Sequence, residues 1–200
     1  MAEHYYSKSP DVKSEPKQWQ TNLRGTNFVF VTDAGVFSKG EVDFGSRLLI
    51  DAFQAPEIKG DILDVGCGYG PVGLSIAALF KERTIQMVDV NERALALSRT
   101  NSQKNNIDNV VIYSSDSLDE VETKEFAAIV TNPPIRAGKE TVFKIYDQAS
   151  ERLAVGGDLW VVIQKKQGAP STIARLEGLF GNAEIVEKSK GYYIIKSRKH

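Results

Sequence analysis

The chain is 200 residues long, 42% apolar and 26% charged, with a net charge of −1 at pH 7. This length suits one domain with a full core, and so balanced a charge excludes a global attraction to nucleic acid, leaving only a local patch for any polyanion. The lone cysteine, Cys67, excludes an intrachain disulfide and a cysteine-based zinc site, and His4 and His200, the only histidines, sit at the two ends, which argues against a histidine triad or metal cluster. No apolar run reaches the roughly 20 residues that span a bilayer, and the N-terminus lacks the basic and apolar regions of a signal peptide. A cytoplasmic protein without a membrane or metal partner is the expectation.

Residues 1–26 are polar, carry Pro10 and Pro16, show no clear period and read as an arm. Residues 28–32 are aromatic and β-branched, and Asp33-Ala34-Gly35 is a turn signal before Val36-Phe37, which predicts a small hairpin. We therefore expect an arm and hairpin over 1–42 packed on a main domain over 43–200. That domain should open with a helix over 43–54, where Leu48, Leu49, Ala52 and Phe53 recur at helical spacing. Strands then alternate with helices: strands over 62–65, 84–90, 110–113, 126–131 and 159–164, and helices over 72–80, 92–104, 139–153 and 171–180. Asn91 is placed to cap the helix at 92, and Gly156-Gly157 to stop the one ending at 153. Residues 183–186 and 192–195 close the chain as an antiparallel pair. The pattern is α/β: a mostly parallel twisted sheet covered on both faces, with an antiparallel C-terminal strand.

In such sheets ligands bind beyond the carboxyl ends of the strands. Asp64, Asp89, Asp116 and Asn132 all fall at or just past four consecutive strand ends. Between the first of these strands and its helix runs Asp64-Val65-Gly66-Cys67-Gly68-Tyr69-Gly70-Pro71. Glycines there let the backbone turn sharply and come close to a ligand. Gly68 to Gly73 also matches the G-x-G-x-x-G dinucleotide pattern with Asp89 downstream, so a nicotinamide enzyme competes as a reading. The wider arrangement favours S-adenosylmethionine. Asp64 would face its amino group or order the turn, and the loop of Gly66, Cys67, Gly68 and Gly70 would meet its carboxylate. Asp89 would take the ribose hydroxyls, Val90 would wall the ring, and Asp116 with Ser117 would meet the adenine amine.

Asn132-Pro133-Pro134 ends the fourth strand of this series. Proline fixes its own φ and biases the preceding residue towards extended geometry, so Asn132 is held out of any helix. The Asn132 amide oxygen and the Pro133 carbonyl could then accept both N–H bonds of an amine and direct its lone pair at a methyl group. That makes Asn132, Pro133 and Pro134 the candidate catalytic residues, with Asn132 also counted among those that line the cofactor.

These motifs resemble those of the class I S-adenosylmethionine-dependent methyltransferases that modify amino nitrogens. Gly35-Val36-Phe37-Ser38 and Asp43-Phe44-Gly45-Ser46-Arg47-Leu48-Leu49 narrow the resemblance to the RsmC-type guanine-N2 methyltransferases of small-subunit ribosomal RNA. The resemblance runs from about residue 27 to the end; members with two domains carry a further N-terminal one, and this chain looks like the compact form. It implies a Rossmann-like fold, S-adenosylmethionine as cofactor, and ribosomal RNA or the small ribosomal subunit as partner. Relatives often carry an aromatic after the second proline to stack on the target base; this chain has Ile135, which leaves flat apolar contact or an aromatic such as Phe37. Arg136 and Lys139 are candidates for base stacking or phosphate. Lys188, Lys190, Lys196, Arg198 and Lys199, with Lys8, Lys13, Lys17 and Arg24, would form a basic patch if the two ends meet. Adenine N6 or a protein glutamine amide would suit the same hook, and a non-catalytic RNA-binding protein on this scaffold is the reading from a different class.

Overall fold

The computed structural model describes residues 13–38 and 40–200; the start of the arm, with His4, Lys8 and Pro10, lies outside them. The hairpin is made of β1 (Lys17–Leu23) and β2 (Thr26–Thr32), antiparallel, and turns at Arg24 and Gly25 with φ of 48° and 82°. It therefore lies upstream of the turn expected at 33–35. Trp19, Thr21 and Leu23 point inward while the residues between them are exposed, a one-sided strand whose polar outer face hid it in an otherwise polar stretch. Asp33 instead stops β2: its carboxylate accepts hydrogen bonds from Ser14 Oγ (2.7 Å) and the amides of Glu15 and Ala34.

The remaining elements follow in order: α1 (Phe44–Ala52), β3 (Ile62–Val65), α2 (Pro71–Leu79), β4 (Ile85–Asp89), α3 (Glu92–Lys104) and β5 (Val110–Ser114). Then come β6 (Phe126–Thr131), α4 (Lys139–Arg152), β7 (Leu153–Gln164), α5 (Ala169–Phe180), β8 (Glu184–Ser189) and β9 (Tyr192–Arg198). Strand β7 begins six residues earlier than the apolar run at 159 suggests. Gly157 permits this, since a Cβ there would stand 2.8 Å from the Phe126 carbonyl oxygen of the neighbouring strand.

The seven strands lie in the order β5-β4-β3-β6-β7-β9-β8, with β9 antiparallel to both neighbours and the pairs from β5 to β7 parallel. From β3 the chain winds outward to β5, then crosses back to lay β6 on the other side of β3. The loops leaving β3 and β6 diverge at this reversal, and a crevice opens where ligands bind in sheets of this kind. One face of the sheet packs Leu49, Phe53, Leu74, Ile76 and Leu95 together with Phe28 and Phe30 of the hairpin; the other packs Ile145, Tyr146, Ala149 and Leu176 of α4 and α5.

The hairpin joins this body through two helical amides. Asn101 in the last turn of α3 and Asn105 at its C-cap act as a substitute strand along β2. Asn101 accepts from the Val31 amide (2.7 Å) and donates to the carbonyls of Val31 (3.0 Å) and Tyr69 (2.9 Å). Asn105 pairs in the same way with the amide and carbonyl of Val29. Asn101 is fully buried. Asn101→Ala should leave three backbone groups without partners, at about 1–3 kcal/mol for each that water cannot reach. At about 2–4 °C per kcal/mol for a chain of this size, thermal melts should show a loss of several degrees, against almost none for Thr100→Ala on the exposed face of the same helix.

Candidate active site

Beyond the carboxyl ends of β3, β4, β5 and β6 lies a cavity of about 630 Å³, within the range of small-molecule sites. Its lining brings together Asp64, Gly66, Cys67, Gly68, Asp89, Val90, Asp116, Ser117, Asn132, Pro133, Pro134, Ile135, Arg136 and Phe37. Gly70 and Lys139, also singled out from the sequence, are outside it.

The glycine loop is held from β4: the amides of Gly66 and Cys67 both donate to the Val88 carbonyl at 2.9 Å. Gly66 and Gly68 have φ of 74° and 58°, and nothing lies within 4 Å of where a Cβ would stand at either. The backbone conformation requires glycine there, and it leaves a bare edge facing the cavity. Gly70 has a different task. It caps α2 ahead of Pro71, and a Cβ on it would meet Leu74 Cδ1 at 2.9 Å.

Asp64 accepts from the Gly73 amide (2.8 Å) inside the first turn of α2, so of its two expected roles the structure displays the ordering of the turn. Burial pushes its carboxyl up to about 7, opposed by the Gly73 hydrogen bond and reinforced by the charge on Asp89. Asp89 accepts from Gly68 N (2.8 Å) and Asn91 N (2.9 Å), one on each oxygen, and burial raises its pKa against those bonds. Each oxygen keeps a second lone pair. Asp116 is on the open rim, 64% exposed, with Lys144 Nζ at 3.4 Å, and Ser117 Oγ donates back to it. With Asp43 on the facing side, four carboxylates among the described residues line one cavity in a nearly neutral chain.

Opposite them, Asn132 donates through Nδ2 to Ser46 Oγ (3.0 Å) and Asp43 Oδ1 (3.3 Å). Asp43 is also the N-cap of α1, accepting from the Ser46 amide. With its NH2 group engaged, the side chain has Oδ1 left over as an acceptor. The Pro133 carbonyl already accepts from Ile135 N (2.9 Å) and offers one remaining lone pair. Ile135 opens a 3-10 turn over Ile135–Ala137 and packs half-buried on the core, which anchors the hook; Arg136 beside it is exposed. Lys139 stands over the Phe143 ring at 5.0 Å, and Phe37 is 51% exposed on the lining.

Sequence reasoning missed Asp43 and Ser46 as the residues that orient Asn132, though an Asp just ahead of a helical run is a capping signal. It also missed Gln164 and Tyr192, which line the cavity from the ends of β7 and β9 and were read only as parts of strands. The basic patch is not assembled as drawn. Lys196 pairs with Glu184, Arg198 grips Asp158 with two nitrogens, and Arg24 donates to the carbonyls of Ile50 and Phe53 at the end of α1.

This strand order, with its antiparallel penultimate strand and a glycine turn after β3, defines the Rossmann-like fold of the class I methyltransferases, whose cofactor is S-adenosylmethionine. The chain belongs to the methyltransferase small domain family, whose profile matches residues 27–196; that membership removes the nicotinamide reading. Over its whole length it is 59% identical to the uncharacterized protein YbxB of Bacillus subtilis strain 168, covering all of that chain. It is 33% identical over 168 residues to ribosomal RNA small subunit methyltransferase C of Actinobacillus pleuropneumoniae, covering 82% of this chain and 50% of that one. In structure it is similar to the T. thermophilus 16S rRNA N2-guanine methyltransferase RsmC, solved with AdoMet and guanosine, at a TM-score of 0.83 and 25% identity over 96% of this chain and 52% of that one. It thus spans about half the length of these two named enzymes.

Because the folded-state pKa of Asp64 lies above its unfolded value of 3.8, the stability linked to its protonated form is complete below about pH 4 and is lost as pH rises through about 7. Asp64→Asn keeps an acceptor for Gly73 and removes the charge. Urea melts should find this variant gaining stability relative to the native chain between pH 4 and pH 8; a constant difference would mean that burial does not shift Asp64.

Proposed function

We propose that this domain transfers a methyl group from S-adenosylmethionine to the exocyclic N2 amine of guanine in ribosomal RNA, with the small subunit as substrate. The observation that carries the reading is the orientation of Asn132, whose amide NH2 is tied to Asp43 and Ser46 so that its oxygen is left for a donor in the cavity. The small-subunit relatives support the choice of RNA, and such a substrate puts the work in the cytoplasm.

The residues present fit the cofactor. The bare edge at Gly66 and Gly68 gives room for close backbone approach. Asp89 keeps lone pairs for ribose hydroxyls, Asp116 and Ser117 stand where an adenine amine would be met, and Val90 walls the ring. Asp64 and Asp89 make the cavity favourable to positive charge. When bound, S-adenosylmethionine supplies an activated methyl group on a cationic sulfur.

A nucleobase amine is a weak nucleophile because its lone pair is delocalised into the ring. The Asn132 oxygen and the remaining lone pair of the Pro133 carbonyl accept its two N–H bonds, which pulls the nitrogen towards tetrahedral geometry. Positive charge developing on that nitrogen strengthens both hydrogen bonds, so the site favours the transition state over the ground state. No strong base is required, since the proton becomes acidic as the bond forms and passes to solvent. Pro133 and Pro134 keep the acceptors rigid, which preserves the alignment that accounts for much of the acceleration.

Asn132→Ala should lower turnover by about 10²–10³-fold, as for the loss of one preorganised transition-state hydrogen bond, with cofactor affinity nearly unchanged in calorimetry. Asp89→Ala should do the reverse, weakening cofactor binding by about 1.5–3 kcal/mol for each charged hydrogen bond lost. The decisive assay supplies labelled S-adenosylmethionine and small ribosomal subunits from cells lacking this gene, then analyses the nucleosides. Label in N2-methylguanosine is the expected outcome; label in another nucleoside or in protein would overturn the guanine assignment.

A further inference from the structure

The wall of the cavity away from the glycine loop is built at the ends of β6, β7 and β9. Strand β6 runs beside β7 with Thr131 opposite Val161, and β7 runs beside β9 with Gln164 opposite Tyr192. Asn132, Gln164 and Tyr192 are thus placed near the ends of three adjacent strands, and all three line the cavity. They are also linked through α1. A Cβ on Gly45 would stand 2.9 Å from Tyr192 Cε1 and 3.3 Å from Asp43 Oδ1, the oxygen that receives Asn132 Nδ2. Gly45 therefore lets the Tyr192 ring approach the residues that aim the hook, and Phe44 braces that ring at 5.5 Å between centroids.

Gln164 Nε2 donates to Tyr192 Oη at 2.6 Å. That single bond leaves the Tyr192 hydroxyl hydrogen as a donor and Gln164 Oε1 as an acceptor. Directly outside this pair the surface is basic. Lys165 and Lys166 follow Gln164, and Lys165 N donates to the Gly191 carbonyl (2.8 Å), which brings them beside Lys190 on the β8–β9 turn. All three lysines are exposed, and among the described residues none has a carboxylate partner. Lys190 instead stands over the Phe44 ring at 4.8 Å.

We infer that this wall is the seat of the target nucleotide: the Gln164–Tyr192 pair contacts the base edge, and Lys165, Lys166 and Lys190 contact the flanking phosphates. The inference rests on the guanine-N2 reading and adds the residues that hold the substrate. Beside its N2 amine, guanine presents an N1–H donor and an O6 acceptor. A hydroxyl donor and an amide acceptor next to the hook match that pair. Adenine would set its N1 acceptor against Gln164 Oε1 and leave both unpaired. A peptide amide would have no use for three lysines without carboxylate partners among the described residues, whereas a phosphate backbone would.

The test measures methyl transfer to small ribosomal subunits from cells lacking this gene at several KCl concentrations, with cofactor binding by calorimetry alongside. Tyr192→Phe keeps the ring and Gln164→Leu keeps the volume; each should raise the apparent KM for subunits by about 3–10-fold, the worth of one hydrogen bond, while cofactor affinity stays the same. Replacing Lys165, Lys166 and Lys190 together by alanine should flatten the slope of log kcat/KM against log salt by about 2–3. A native chain that is active while all three variants match it in KM and salt slope would overturn the inference and leave the guanine-N2 reading standing. A native chain that binds S-adenosylmethionine but labels only protein would overturn that reading, and the nucleotide seat with it.

Discussion

One face of α3 holds the site in place. Asn101 ties the β2 backbone to the Tyr69 carbonyl, and Ser98, one turn earlier on the helix, donates to the Gly68 carbonyl at 2.8 Å. Two neighbouring carbonyls of the glycine loop are thus fixed by the helix that follows the next strand. The opposite side of the loop hangs from Val88 and Asp89 at the end of β4. A loop with three left-handed glycines has little conformational preference of its own, so its shape has to come from such outside bonds. The N-terminal hairpin enters through the same residue, which makes it part of the support of the cavity.

The electrostatics of the crevice follow from that packing. Asp64 and Asp89 are each spent on holding backbone amides, and both are lifted in pKa by burial. Buried carboxylates facing one cavity are costly while nothing positive is near, and a cation placed there relieves the cost. The same two side chains shape the loop and set the sign of the ligand it favours. Across the cavity, Asn132 is held by the N-cap of α1, so the orientation of its amide depends on a helix start 89 residues earlier in the chain. The α1 cap, the hook after β6 and the Tyr192 ring form one assembly around Gly45, where only glycine leaves enough room.

What could be read from the sequence was local in origin. Asn91 before a periodic run announced the start of α3, which the structure reproduces with the Asn91 side chain accepting from Arg93 and Ala94. The apolar runs of β3 and β6 could only be buried central strands, and the glycines after β3 marked the turn, because φ preference belongs to the residue itself. The one-sided strand β1 escaped notice because half its residues are polar by necessity, and the early start of β7 because it depends on Gly157 meeting the Phe126 carbonyl.

The sequence by itself therefore determined the alternation of strands and helices, the glycine loop and the order of polar residues at successive strand ends, since each is set by preferences within a few residues. Only the tertiary structure decided which of those residues hold the site and which face into it. Asp64, at the end of β3, took an amide in the first turn of α2, Asp43 and Ser46 reached Asn132, and Gln164 met Tyr192 across the last strands of the sheet. Such pairings join positions far apart along the chain, and they come into being when the sheet order brings strand ends together.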